Sequence, residues 1–187
     1  MKLLIPSMCL LLGSMTTLAQ QRPNREPREF HAFLARMAGV WEAQAKFWKW
    51  TQPTALPMEV KATINAEMIM GGRFLFQKIE GDFMGVPLDA IGVVGYDNTA
   101  GQFEAVSFDN MNTGMALHAG RMNEDGHIDL RLKYVNQTTG EIVERRTIRE
   151  LISAGEWLET AYETRNGVER KVMEIRARRM EQGTPSR

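Results

Sequence analysis

LARMAGVWEA, residues 34–43, is the stretch where the rule governing the chain changes. Before it, Phe30, Phe33, Leu34 and Met37 recur at i, i+3, i+4 and i+7. That spacing puts them on one face of a helix of about three turns. Pro27 suits the first turn of such a helix. Gly39 suits its end, where left-handed backbone is easy only for glycine. From Val40 onward no segment keeps a helical period, and Trp41 opens the first strand-like pattern.

Downstream, turn signals recur at near-regular spacing: Gly71-Gly72, Glu80-Gly81-Asp82, Asp97 to Gly101, Asn110 to Gly114, Asn123 to Gly126, Thr138 to Gly140, Ala154-Gly155 and Asn166-Gly167. Asn, Asp and Gly supply the positive φ angles that tight hairpins need. The segments between them have strand length. In one of them Ile128, Leu130, Leu132 and Tyr134 alternate with Asp129, Arg131 and Lys133, which sets one face in a core and the other in water. No gap is long enough for the helical crossover that parallel pairing requires. About ten antiparallel strands joined in order leave two bare edges unless the sheet closes on itself. The expected fold is therefore all-β: an up-and-down antiparallel barrel with one short N-terminal helix. A two-sheet sandwich stays open as the alternative, because turn spacing alone does not separate the two. An outer-membrane barrel is disfavoured, since Glu141 to Glu150 carries charge on both faces.

The chain is long enough for one domain with its own core. Its 23 basic and 23 acidic residues balance, so it carries no electrostatic footprint for nucleic acid or an anionic surface. The densest basic cluster, Arg145, Arg146 and Arg149, is interleaved with Glu144 and Glu150 and reads as a solvated strand face. At the N-terminus, Lys2, the apolar run Leu3 to Leu12 and small residues up to Ala19 match a secretory signal peptide. That apolar run is shorter than the roughly 20 residues a span needs. The expected organisation is a signal peptide at 1–19, a flexible linker at 20–29, one barrel domain at 30–182 and a disordered tail at 183–187. The expected location is periplasmic or secreted, with no membrane span in the mature chain. Cys9, the one cysteine, would leave with the signal, so no disulfide or thiolate metal site is expected.

A short helix followed by Gly39-x-Trp41 at the head of the first strand resembles the signature of the calycin superfamily, the lipocalins and their relatives. A narrower resemblance covers nearly all of the mature chain. Leu34 with Ala38-Gly39-x-Trp41, Gly71-Gly72-Arg73-Phe74-Leu75, Gly95-Tyr96-Asp97, Phe108-Asp109, and Glu169-Arg170-Lys171 leading to Glu174-Ile175 look like the bacterial family called domain of unknown function 1579. This resemblance implies a calycin-like barrel in an exported protein and no particular activity. It also implies that the tryptophan closes one barrel end beneath a late arginine. On the last strand, Met173, Ile175, Ala177 and Arg179 share the more apolar face, so Arg179 is expected over the Trp41 ring. The chain departs from the family pattern at Ala177 and Arg178, where a tyrosine and a threonine are usual, and at Ser107, where a tryptophan is usual. If Phe103, Ala105, Ser107 and Asp109 line the interior, the small Ser107 enlarges a cavity.

Few residues suggest chemistry. His31 reads as a helix surface residue, His127 as an exposed turn residue, and His118 as a strand residue able to point inward. No two histidines have metal-ligand spacing, so no metal or cofactor is expected. The haem-binding calycin branch called nitrobindin uses a histidine near the chain's end, and none follows His127. Asp97 belongs to an Asx-type turn. Trp48 and Trp50 form either a pocket wall or an exposed patch. The candidate ligand-binding residues are Arg73, Tyr96, Ser107, Asp109 and His118, around a small apolar ligand held in the barrel. An enzyme using Arg73, Tyr96, Asp109 or His118 around the same cavity, and a filled barrel acting as an interaction protein, are the alternatives.

Overall fold

The computed structural model describes residues 25–136 and 139–181. The expected signal peptide, the first part of the linker and the tail at 183–187 lie outside the described residues. Helix α1 (Glu29–Ala35) is shorter than its apolar spacing suggests. Residues 36–38 tighten into i→i+3 bonds, with Arg36, Met37 and Ala38 donating to the carbonyls of Phe33, Leu34 and Ala35. Gly39 therefore does not cap the helix. It is the first residue of β1, at φ +136°, and a Cβ there would overlap the Arg179 guanidinium.

Ten strands follow: β1 (Gly39–Phe47), β2 (Met58–Ile69), β3 (Phe74–Phe83), β4 (Val86–Asp97), β5 (Gln102–Asp109), β6 (Ala116–Met122), β7 (Ile128–Val135), β8 (Ile142–Ser153), β9 (Glu156–Arg165) and β10 (Val168–Arg179). Each pairs antiparallel with its neighbours in sequence, and β1 pairs with β10 to close the barrel. The fold is thus the closed antiparallel barrel that the turn spacing and edge argument predict, not a sandwich. On β10, Ala177 and Ile175 pack on the core as the alternation predicts, but Val172 is buried too, because the strand bulges between Lys171 and Met173.

The two ends differ. At one end α1 packs across β2, β3 and β4, beside the hairpins at 70–73, 98–101, 123–127 and 154–155. This closed end holds the main core: Leu34, Met37, Trp41, Leu75, Phe103, Ile128 and Trp157 are all buried. Trp41 Nε1 donates to Met37 O at 3.0 Å, and its ring meets Trp157 edge-on at 6.2 Å. Arg179 Cζ stands 4.1 Å from the Trp41 ring centroid. Its guanidinium donates to the carbonyls of Ala154, Ala38 and Arg36 at 2.9, 2.7 and 2.9 Å. The other end carries the connections at 48–57, 84–85, 110–115, 136–141 and 166–167 and has no helix across it among the described residues.

The barrel wall is not uniform. β6 pairs with β7 only from Ala119↔Arg131 to Met122↔Ile128, the shortest ladder in the barrel, whereas β7 pairs with β8 along its whole length. Ala116 to His118 and Leu132 to Val135 have no ladder partner across this seam, so the wall parts there toward the open end. Gly120 pins the paired part: a Cβ at this position would overlap the Asp129 carbonyl oxygen and crowd Leu130 Cα. Backbone cannot yield as a flexible side chain can. Gly120→Ala is expected to destabilise the fold by about 1–3 kcal/mol through overpacking, read as a lowered urea midpoint at unchanged slope.

Candidate functional site

Alternation along the strands assigns the lumen face. Phe103 is buried, so Ala105, Ser107 and Asp109 also face inward, and Val106 and Phe108 face out. Register carries the same face to His118, opposite Ala105, and to Gly92, opposite Ser107. Ser107 is exposed although it faces the lumen, so solvent enters the barrel from the open end.

Of the five residues read from the sequence, Arg73, Tyr96 and His118 border one elongated cleft, whereas Ser107 and Asp109 lie outside its lining. Arg73 and Tyr96 belong to the closed end. Arg73 donates to Met70 O at 3.1 Å and faces Glu26 at 3.6 Å, while the Tyr96 ring packs between Phe30 at 4.3 Å and Phe103 at 5.0 Å. Asp109 faces the open end but caps its own turn, accepting from Met111 N and Asn112 Nδ2. Only Ser107 and His118 are left lining the open half of the lumen. His31 is a correction: it is buried, not a surface residue, because its Nδ1 accepts the Arg28 N–H at 3.0 Å and its ring stands edge-on to Tyr96. His127 is half-buried, 3.8 Å from Glu150.

The larger correction concerns β8. Arg145 and Arg149 do not lie on a solvated face. They share the inward face with the buried Val143 and Thr147, and they meet two buried carboxylates of β9, Glu159 and Glu163. Arg149 Nε donates to Glu159 at 2.7 Å, its Nη1 reaches Gln77 Oε1 at 3.2 Å, and its Cζ lies 5.3 Å from the Trp157 ring. Gln77 is on β3, with four strands between it and β8 in either direction. This bond therefore spans the barrel and separates the apolar core below from a charged compartment above.

In that upper compartment Glu163 is the hub. It accepts from Tyr134 Oη and Arg145 Nη2 at 2.6 Å each and from Arg165 Nη2 at 2.7 Å. Burial alone would raise the Glu163 carboxyl, but these hydrogen bonds outweigh it and hold the group below the ordinary glutamate range. Burial, with the Glu163 bond, pushes the Tyr134 phenol up. Burial likewise holds the His118 imidazole below its usual value; Glu159 pulls the other way, and Arg145 and Arg149 add to the lowering. His118 is thus neutral at pH 7, with Nδ1 buried and lacking a protein partner. The Nε atoms of Arg145 and Arg165 are in the same condition. In this network three guanidiniums (Arg145, Arg149, Arg165) contact two carboxylates (Glu159, Glu163), leaving one positive charge in surplus there, while Asp109, on the same face nearer the mouth, is engaged with its own turn.

Across the lumen the wall is apolar, with Ala45, Val60 and Ile175, and Phe47 against Phe83 at 5.9 Å. At the rim, Trp50 is clamped by Arg165 and Arg170, whose Cζ atoms lie 5.2 and 5.0 Å from its ring, and Trp48 carries Lys171 at 4.5 Å. These tryptophans are cation-covered rather than a bare patch or a pocket wall. A cleft runs from Arg73 and Tyr96 at the closed end to the seam between β6 and β7, where Ala105, His118 and Leu132 meet it from inside and Val106 and Leu117 from outside. Among the described residues no group of three or more His, Cys, Asp or Glu side chains could hold a metal ion.

Comparisons with known proteins agree with this architecture. A family model described as protein of unknown function (DUF1579) matches residues 26–179. No protein of curated function matches the sequence. Among solved structures, the S-type phycobiliprotein lyase CPES from Guillardia theta is 13% identical, with TM-score 0.57 over 83% of this chain and 94% of that one. Rv2717c from M. tuberculosis is 16% identical, with TM-score 0.58 over 83% of this chain and 100% of that one. At these identities the likeness is one of fold.

Proposed function

Because this chain belongs to the DUF1579 family, described only as of unknown function, we propose a function from its own geometry: it binds a small amphipathic molecule in the open half of the barrel. The ligand has an apolar body, as the sequence suggested, and a single acidic group. The observation that carries this reading is the set of buried polar atoms without protein partners in one compartment, Arg145 Nε, Arg165 Nε and His118 Nδ1. Buried polar atoms are nearly always paired, so unpaired ones facing a solvent-reached lumen call for a guest or for water. An anion would offset the surplus guanidinium, while Ala105, Val106, Leu117 and Leu132, which line the cleft beside His118 and Arg145, receive the apolar body. Likeness to a phycobiliprotein lyase supports only the general idea of a barrel that handles small molecules. Export belongs to the same proposal and rests on the N-terminal pattern.

Decanoate and decanol, matched in apolar length, test the acidic group by displacement of anilinonaphthalene sulfonate fluorescence. Decanoate is expected to bind more tightly, and Arg145→Met to weaken it about tenfold or more while leaving decanol unchanged, as loss of a charge-assisted hydrogen bond implies. Equal binding of the two compounds, or an unaltered decanoate affinity in the variant, would overturn the reading.

A further inference from the structure

Ten of the fourteen exposed large apolar side chains lie at or beside the open-end connections. Leu56 is 94% exposed, Met84 76%, Met115 and Leu117 69% each, and Ile142 66%, with Val168 in the same ring. They come from all five loops at that end, and several flank the seam between β6 and β7. Single exposed apolar residues need no explanation, but a collection concentrated at one end does. The connections at 84–85, 110–115 and 166–167 contain no charged residue, although a quarter of the whole chain is charged.

We propose that this rim is a lipid-docking surface, set against a neutral bilayer so that the lumen and its seam open onto the membrane. The proposal rests on the ligand-binding reading for its purpose and on the rim for its evidence. Two features choose lipid over a protein partner. The rim is built of Met, Leu, Val and Ile with one Phe, and its two tryptophans are half-buried under cations and not the exposed anchors that dominate protein interfaces. Behind it the charges neutralise one another in exposed pairs, Lys46 with Glu59, Lys133 with Glu144 and Lys171 with Glu174, an arrangement that matches zwitterionic headgroups and gives no net pull toward anionic ones. Trp48 and Trp50, apolar rings beneath cations at the same end, sit where amphipathic side chains meet a headgroup layer. No helix among the described residues is long and apolar enough to cross a membrane, so the contact proposed is peripheral.

Flotation of the full chain with phosphatidylcholine vesicles tests it. The chain is expected to float with these vesicles equally well at low and high salt. The triple variant Met84→Ser, Met115→Ser, Ile142→Ser is expected to lose about tenfold or more of its partitioning, as removal of apolar insertion implies. The closed-end variant Met70→Ser, Met180→Ser serves as control and is expected to float as the parent does. Failure of the parent chain to float, equal loss in the control, or binding only to anionic vesicles that salt abolishes would each overturn the proposal. Concentration-dependent self-association without flotation would instead assign the rim to a protein contact and overturn it as well. Decanoate uptake in vesicle-free solution keeps the two readings apart. The rim variant should retain uptake if the lumen binds ligand, whatever the vesicles show, and loss of the Arg145→Met effect would sink the lumen reading alone.

Discussion

Trp41→Ala is expected to cost about 3–5 kcal/mol of folding stability, the range for deleting a large buried aromatic ring. The ring is fully buried, and its removal leaves a cavity between Met37, Trp157 and the Arg179 guanidinium. It also leaves Met37 O without its donor. Trp41→Phe keeps most of the apolar contact but not that hydrogen bond, so about 1–2 kcal/mol separates it from the parent chain. Urea denaturation of the three proteins gives the comparison. A loss below about 1 kcal/mol for Trp41→Ala would mean that the closed end collapses onto the gap, and that Arg179, through its three carbonyl acceptors, holds that end without the ring.

The second large effect belongs to Glu163. Glu163→Ala strands two guanidiniums and a phenol in the lumen, and breaking a buried pair this way costs about 3–5 kcal/mol. The lower end is expected here, because Arg145 keeps part of its surface in water. The same residue gives the fold an acid limb. Its carboxyl titrates lower in the folded chain than in the unfolded one. Its contribution is therefore complete above the unfolded glutamate value of about 4.3, and it is lost as pH falls from there through the lower folded value. Denaturation midpoints of the parent chain should drop in that window, and those of Glu163→Ala should show a shallower fall. An identical acid profile in both proteins would remove Glu163 from the account.

The outline of the fold was open to reading because its signals are local. The alternation of Ile128, Leu130 and Leu132 with Asp129, Arg131 and Lys133 needs no tertiary knowledge, and neither do the hairpin turns. The helix is shorter than its pattern, since apolar spacing continues through Met37 while the backbone has already tightened after Ala35. The interior chemistry was concealed for a different reason. Alternation reports inside against outside only where inside means dry, and the upper lumen is not dry. Arg145 and Arg149 looked solvated because their strand is charged on both faces. The available clue was on the next strand, where Glu159 and Glu163 share a face with Trp157 and Ala161. Two acids in step with a tryptophan and an alanine suggest buried carboxylates in need of cations, and the register of β8 sets Arg145 opposite Glu163 and Arg149 opposite Glu159. Of the motif residues that carry the family resemblance, Gly71 to Leu75 and Gly95 to Asp97 sit at the closed end, while Phe108-Asp109 and Glu169 to Lys171 stand beside the open one, so the motif singled out no one compartment.

The four-pair ladder between β6 and β7 also changes how the barrel should be pictured as a mechanical object. It closes in two places that differ in kind. The β1–β10 closure joins the two ends of the domain over seven pairs from Trp41 to Phe47, and it is expensive in loop entropy to form. The β6–β7 closure is a local hairpin, cheap to form and weakly zipped. Opening it would leave a six-stranded leaf, β1–β6, and a four-stranded leaf, β7–β10, still hinged along β1 and β10. The Arg149–Gln77 bond then acts as a latch between the leaves, because it joins β8 in one to β3 in the other. A barrel built this way would open as a book does, along its fore-edge, with its spine made from the first and last strands of the domain.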